Sequence, residues 1–518
     1  MNILAGIAGR SPVWEHLLQR EGLPWSTVNL ATGDGVEGCS VIIVTAPCGP
    51  AERDVLAAYL RQGGAVLAAA AHVSGLGGTT VHREPLAHLI GEHDTAFPTL
   101  RLMDLEVEGM VAREARHLRT PANTHAVVAG GLAGGVAVLL PFDPVWAFTD
   151  ARVADRAFFA RHDRLPTERV SCVSRGEVSQ LLHHALAFLH HARSMPYLHL
   201  WYYPGTRRNV LSFRIDTDGA PRKDIDDLFH MLEEHDVPAT WFLDVAAHES
   251  WLGHFGDFTG HEMGVHCYRH RIYADLAEQE ADWQRGIAVS RSVGLAPAGS
   301  AAPFGTWTPA LAGVIDRLGL LYSSEFSFAY DTFPLMPFPF GNGVRTLQVP
   351  IHPVSTGSLR RAGFTSARMR SYFASTADAL LARDLPLAFY HHPSHRELGV
   401  FASLFDHVRS HGIEPMRMDA IAHWWSGRLA VKAGVRLQGT TATIDNDEAL
   451  RRADIAVHVL FPDGSDAIVP AARELDHATM PRERRPAPVV PEDIRAIREF
   501  DPRRAFGDLF VSLLRRFT

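Results

Sequence analysis

Short apolar runs bounded by turn residues alternate with amphipathic stretches over the first two hundred positions. NILAGIAG, CSVIIVTA and AVLAAAA read as buried parallel strands. ERDVLAAYLRQGG has helical periodicity and stops at Gly63 and Gly64. This strand–helix–strand rhythm predicts an α/β unit over residues 1–200. Near its end, SQLLHHALAFLHHARS predicts a helix carrying His183, His184, His190 and His191 on a partly exposed face.

The alternation resumes over residues 205–427. VLSFRID, ATWFLDV, MGVHCY, LQVPIHP and PLAFYHH are strand candidates, with helices such as DIDDLFHMLEEH and LAEQEADWQRGIAVSRSV between them. A parallel sheet or barrel with helices outside is expected, its site at the C-terminal ends of the strands. From 428 to 480, LAVKAGVRLQGTTATIDN and ADIAVHVLFPDG alternate apolar with polar, which predicts a small antiparallel β module. Residues 481–518 begin with a basic, proline-bearing linker, RERRPAPVVPED, and close on the amphipathic AFGDLFVSLLRRFT. That closing segment is expected to dock on the body, with peripheral contact to a membrane surface as the alternative. The rhythm of residues 1–200 resembles glutamine amidotransferase-like and flavodoxin-like domains. Cys48, in TAPCGPAE, lacks a nominated histidine and acid and reads as an ordinary turn residue.

Composition narrows the function classes. With 518 residues, several domains are expected, and 46% hydrophobic content suffices for several cores. A net charge of −8 argues against a nucleic-acid binder. The spacing of four widely separated cysteines argues against a disulfide framework or a four-cysteine zinc site. The first residues do not read as a signal peptide and no window is apolar enough to span a bilayer, so a cytoplasmic location is expected.

Two segments carry candidate chemistry. In LSFRIDTDGA, strand alternation puts Arg214, Asp216 and Asp218 on one side, two carboxylates that would repel unless a cation or proton intervened. In EMGVHCYRHR, His266 and His270 lie four apart, as two imidazoles on one helical turn would. One carboxylate with two histidines makes a three-ligand set for zinc that keeps a position open to water. The second carboxylate then serves as a base.

FRIDTDG followed by EMGVHCYRH is similar to the first two motifs of the polysaccharide deacetylases, carbohydrate esterase family 4, also called NodB-homology domains. The resemblance covers Gly205–Gly427 in the right order and implies a distorted (β/α) barrel. It extends through PATWFLDV, YSSEFS, LAFYHHP and the closing SHGIEPMRMDAIAHWW. It implies that Asp216 is the general base, that Asp218, His266 and His270 hold a divalent metal, zinc foremost, and that His392 is the general acid, with His391 its competitor. Cys267 stands where serine or threonine is usual. The third motif, normally arginine–x–proline–aromatic, reads AAPFGTW, so Pro303 and Phe304 fit while Ala301 replaces the arginine.

Arg214, on the strand face of Asp216, is the candidate to supply the missing cation; otherwise the domain keeps a metal with little activity. Pro303, Phe304, Trp307 and Tyr390 are the expected walls of a sugar-binding groove. The reading is a metal-dependent deacetylase of an N-acetylated amino sugar in a glycan or its precursor. The rivals are a hydrolase of other non-peptide C–N bonds in small amides and a weakened carbohydrate-binding module of glycan biosynthesis.

Overall fold

The structure of the protein, a computed structural model, describes residues 2–91, 94–446, 450–484 and 494–514. Its centre is a curled, all-parallel sheet. Numbered one to seven in chain order, the strands are Val210–Asp216, Thr240–Asp244, Glu262–Cys267, Gly299–Ser300, Tyr322–Ser323, Leu347–Gln348 and Leu387–His391. Strands one to six lie side by side in sequence order, and strand seven returns to the free edge of strand one. The short Glu414–Pro415 also pairs with strand one. The gap between strands six and seven is bridged where the His352 N–H donates to the Ala388 carbonyl at 2.7 Å.

Strand one shows why this sequence makes a barrel wall. All seven of its residues are buried, so both faces must find partners. Phe213 packs outward against Phe401 and Phe405 of the helix Leu398–Ser410, with ring centroids 4.9 and 5.0 Å apart. Ser212, Arg214 and Asp216 then face the interior by the two-residue period of the strand. Outside, the helix Arg222–Glu234 buries Ile225, Leu228, Met231 and Leu232, a spacing of three and four residues that makes one stripe.

The first unit is built on a parallel sheet in the order Trp25–Val28, Ala5–Ala8, Val41–Val44, Ala65–Ala69, Gly135–Leu140. That is the 2-1-3-4-5 order of doubly wound folds. Four further strands, His125–Leu132, His117–Arg119, Val81–Ile90 and Leu102–Ala112, continue the sheet antiparallel. Cys48 is a buried residue of the turn after Val41–Val44, its thiol pushed up to about 11 by burial and the nearby Glu52.

The C-terminal strands do not form a free-standing module. Gly434–Gln438, Thr441–Asp445 and Glu474–Asp476 take Asn2–Ile3 into their sheet. Ala456–Leu460, Ser465–Pro470 and Glu483–Arg484 form a second sheet, whose edge strand Ala456–Leu460 pairs with Tyr197–Leu200. The boundary expected at 428 also falls inside a helix, Met418–Ala430. Edge strands with unpaired backbone groups look the same in sequence whatever segment completes them. Of the expected linker, residues 485–493 lie outside the described residues, as do 515–518 at the close of the amphipathic segment.

Candidate metal centre and its neighbourhood

Strand one ends at Asp216, and the turn that follows places Asp218 at φ +43°, in the left-handed region that aspartate tolerates better than most side chains. Thr217 is pinned to strand two, its hydroxyl donating to the Phe242 carbonyl at 3.2 Å and accepting from the Asp244 N–H at 3.0 Å. His266 sits on strand three and His270 in the loop beyond it, so the expected helical turn is absent. The two rings still meet, 5.0 Å apart between centroids, because the loop folds back over the strand end.

The three residues converge. Asp218 Oδ1 lies 3.3 Å from His266 Nε2 and 3.2 Å from His270 Nε2. His266 Nδ1 is 2.7 Å from the Ala301 carbonyl, which can only accept, so Nδ1 carries the proton and Nε2 presents its lone pair to the site. Asp218 Oδ1 is buried and makes no well-formed hydrogen bond among the described residues. A carboxylate oxygen and two imidazole nitrogens converging on one point make a donor set that a divalent cation satisfies. The residues present therefore fit such an ion.

Arg214 lies inside the barrel, fully buried between the Phe242 and Tyr390 rings, its guanidinium carbon 5.2 and 5.7 Å from their centroids. Nε and Nη2 each donate to Asp216 at 2.6 Å, a two-point clamp on both carboxylate oxygens. Nη1 donates to the Ser324 carbonyl and, at 3.1 Å, to its hydroxyl. Burial alone would raise the Asp216 carboxyl; the Arg214 guanidinium, with His266 and His392 nearby, reverses this and holds it below the usual carboxylate range. Ala301 at the third-motif position is fully buried and contributes its backbone carbonyl to His266.

His392 follows strand seven, its Nε2 3.6 Å from Asp218 Oδ2. Burial lowers its pKa although Asp216 and Asp218 oppose the shift. His391 points to the other face, 3.3 Å from the Thr356 hydroxyl and 4.7 Å from the Phe401 ring, because adjacent strand residues face opposite ways. Phe304 is 69% exposed and sets its ring edge-on to His270 at 4.8 Å, at the mouth. Pro303 is buried beneath it. Trp307 departs from the expected groove wall, since it is buried against Phe328 with ring centroids 4.5 Å apart. Tyr390 is likewise an interior residue, its hydroxyl donating to the Pro353 carbonyl at 3.0 Å.

One supporting residue escaped the sequence reading. Glu325, in SSEFS, is fully buried and accepts from the Ala302 N–H (3.0 Å), the Ser323 hydroxyl (2.8 Å) and Gln348 Nε2 (2.7 Å). It tethers the turn holding Ala301 and Phe304. A glutamate set among serines and aromatics in YSSEFS was the available signal. Elsewhere, Glu21, His183 and His199 gather between the first unit and the C-terminal strands. There Glu21 already accepts from Tyr197 (2.7 Å), Tyr202 (2.8 Å) and His183 (2.7 Å), which makes that group a cross-brace. His183 thus finds an acidic partner at the end of another helix, Pro12–Glu21.

No family model matches the sequence, and no curated protein matches it. Among solved structures, a protein from Pseudomonas aeruginosa described as a probable polysaccharide deacetylase is 18% identical, with a TM-score of 0.37 over 43% of this chain and 92% of that one. A family 4 carbohydrate esterase from Streptomyces lividans, in complex with acetate, is 14% identical, with a TM-score of 0.29 over 40% and 90%. A family 4 pseudoenzyme from Bacillus anthracis is 15% identical, with a TM-score of 0.30 over 42% and 68%.

Proposed function

We propose that the chain is a metal-dependent hydrolase that removes the N-acetyl group from an amino sugar in a glycan or glycan precursor. The observation that carries this reading is that His266 Nε2 and His270 Nε2 both lie within 3.3 Å of Asp218 Oδ1 at a barrel mouth, beside an arginine-clamped aspartate. Those three residues would hold the ion, Zn2+ foremost. When bound, it supplies Lewis acidity that polarises the amide carbonyl and acidifies a water.

The chain's own residues supply the rest. Asp216, kept anionic by Arg214, accepts the proton of the attacking water. His392, at the opposite side of Asp218, donates a proton to the departing amine nitrogen. The turn at Pro303–Phe304, tethered through Glu325, offers the Phe304 backbone N–H to the developing oxyanion. Phe304 gives an exposed apolar edge on which a sugar ring can rest. The clamp on Asp216 favours an active enzyme over a weakened binding module, because the cation lost at position 301 is replaced from strand one.

The test is metal analysis of the purified chain paired with acetate release from N-acetylglucosamine oligomers. One equivalent of bound ion and chelator-sensitive acetate release are expected. Metal binding with no acetate release would reject the deacetylase reading, and turnover of small amides instead would move the substrate class.

A further inference from the structure

Seven large hydrophobic side chains are exposed among the described residues, and four of them, Phe500, Phe506, Leu509 and Phe510, fall within eleven positions. Their exposures run from 57% to 83%. The last three lie on the helix Pro502–Leu514. At 100° per residue, Phe506, Leu509 and Phe510 share one face, with Arg504 on the other. The docking on the body expected for this segment is therefore not what these side chains do.

The segment is nevertheless tied down at its base. Ile494 is buried, and Arg498 donates to both Asp104 oxygens at 2.8 and 2.7 Å and to the Ala157 carbonyl at 2.8 Å. Ala157 belongs to the hairpin Val153–Ala157/Thr167–Ser171. The other strand of that hairpin carries Glu168, which meets Arg361 at 3.3 Å and Ser358 on the helix Thr356–Arg361. Thr356 of that helix touches His395 at 3.3 Å, and the His395 ring lies 4.7 Å from that of His392. Gly357 allows this packing, since a Cβ there would come within 2.5 Å of the His395 ring. The anchored base and the candidate site are thus joined through one hairpin and one rim helix.

We propose that this helix lays its phenylalanine face on an anionic lipid surface. Charge selects the occupant. The chain carries −8 overall, which anionic headgroups repel, yet the helix opens with exposed Arg503, and Arg515 and Arg516 follow it in the sequence. Arginines flanking a phenylalanine and leucine stripe match an interface of anionic headgroups above acyl chains. No helix among the described residues is long and apolar enough to cross a membrane, so the contact is peripheral. Under the deacetylase reading, on which this last step rests, such seating brings the barrel mouth to a lipid-linked glycan.

The experiment is co-sedimentation of the full chain with phosphatidylcholine vesicles, with and without phosphatidylserine, and it does not depend on enzymatic activity. Binding is expected only with phosphatidylserine and is expected to weaken with salt. Arg503→Gln should lower partitioning on the order of fivefold. Phe506→Ser with Phe510→Ser should lower it at least about tenfold, with an unchanged thermal melt. Equal binding to both vesicle types, binding to neither, or retention by the double variant overturns the proposal. So does a dimer, seen by analytical ultracentrifugation, that the double variant dissolves, since a second copy then covers the face.

Discussion

Replacing Arg214 by alanine tests the relation on which the candidate chemistry depends. Both partners are buried, Arg214 at 0% and Asp216 at 3% exposure, and two 2.6 Å bonds join them. Removing the guanidinium strands a carboxylate in the interior, which costs about 3–5 kcal/mol where such pairs are broken. The cost depends on pH with a definite sign. In the wild type the Asp216 carboxyl is depressed, so its contribution is present above the unfolded value near 3.9 and is lost as pH falls through the folded value. Without Arg214, burial dominates and the folded pKa rises above the unfolded one. The contribution is then lost as pH increases, and the gap between variant and wild type widens from acid to neutral pH. Urea unfolding of the chelator-treated protein at several pH values reads this directly. Asp216→Asn should restore at least about 2 kcal/mol in the Arg214→Ala background, a coupling only contacting groups show. A variant within about 0.5 kcal/mol of wild type at neutral pH, or additive effects in the double variant, would refute the clamp.

Three further outcomes follow from particular contacts. Asp218→Asn should abolish the stabilisation that added Zn2+ gives the wild type, about 2.7 kcal/mol at a hundredfold excess over Kd; an unchanged thermal shift would remove Asp218 from the ligand set. Glu262, which accepts from Tyr322, Thr240 and the Asp419 N–H at the barrel floor, is pushed up to about 7 by burial and the nearby Asp419. Its folded value exceeds its unfolded one, so its contribution is full below about pH 4.5 and lost as pH rises through 7; Glu262→Gln should stabilise by up to about 3 kcal/mol at pH 8.5 and by little at pH 4.5. Phe304→Ala should raise KM without lowering the melting temperature, whereas Trp307→Ala should cost about 3–5 kcal/mol of stability, and the reverse pattern would put Trp307 on the groove.

The linear order of residues carried the local part of the site. Asp216, Asp218, His266 and His270 stand in two short segments, and the alternation of a strand by itself puts Arg214 on the face of Asp216. The parallel sheet of residues 205–427 was legible for the same reason, since apolar runs and helical stripes record burial residue by residue. What the sequence could not determine is whatever depends on which distant segment fills a shared space. Glu325 tethering the Ala301 turn, the Ala301 carbonyl setting the His266 tautomer, and Trp307 buried against Phe328 all join positions separated along the chain or by backbone groups that every residue carries. The same holds for Asn2–Ile3 and Tyr197–Leu200, which complete sheets begun more than two hundred residues later. Backbone hydrogen bonds are identical along any strand, so the choice of partner is made by three-dimensional packing, and only the folded chain displays it.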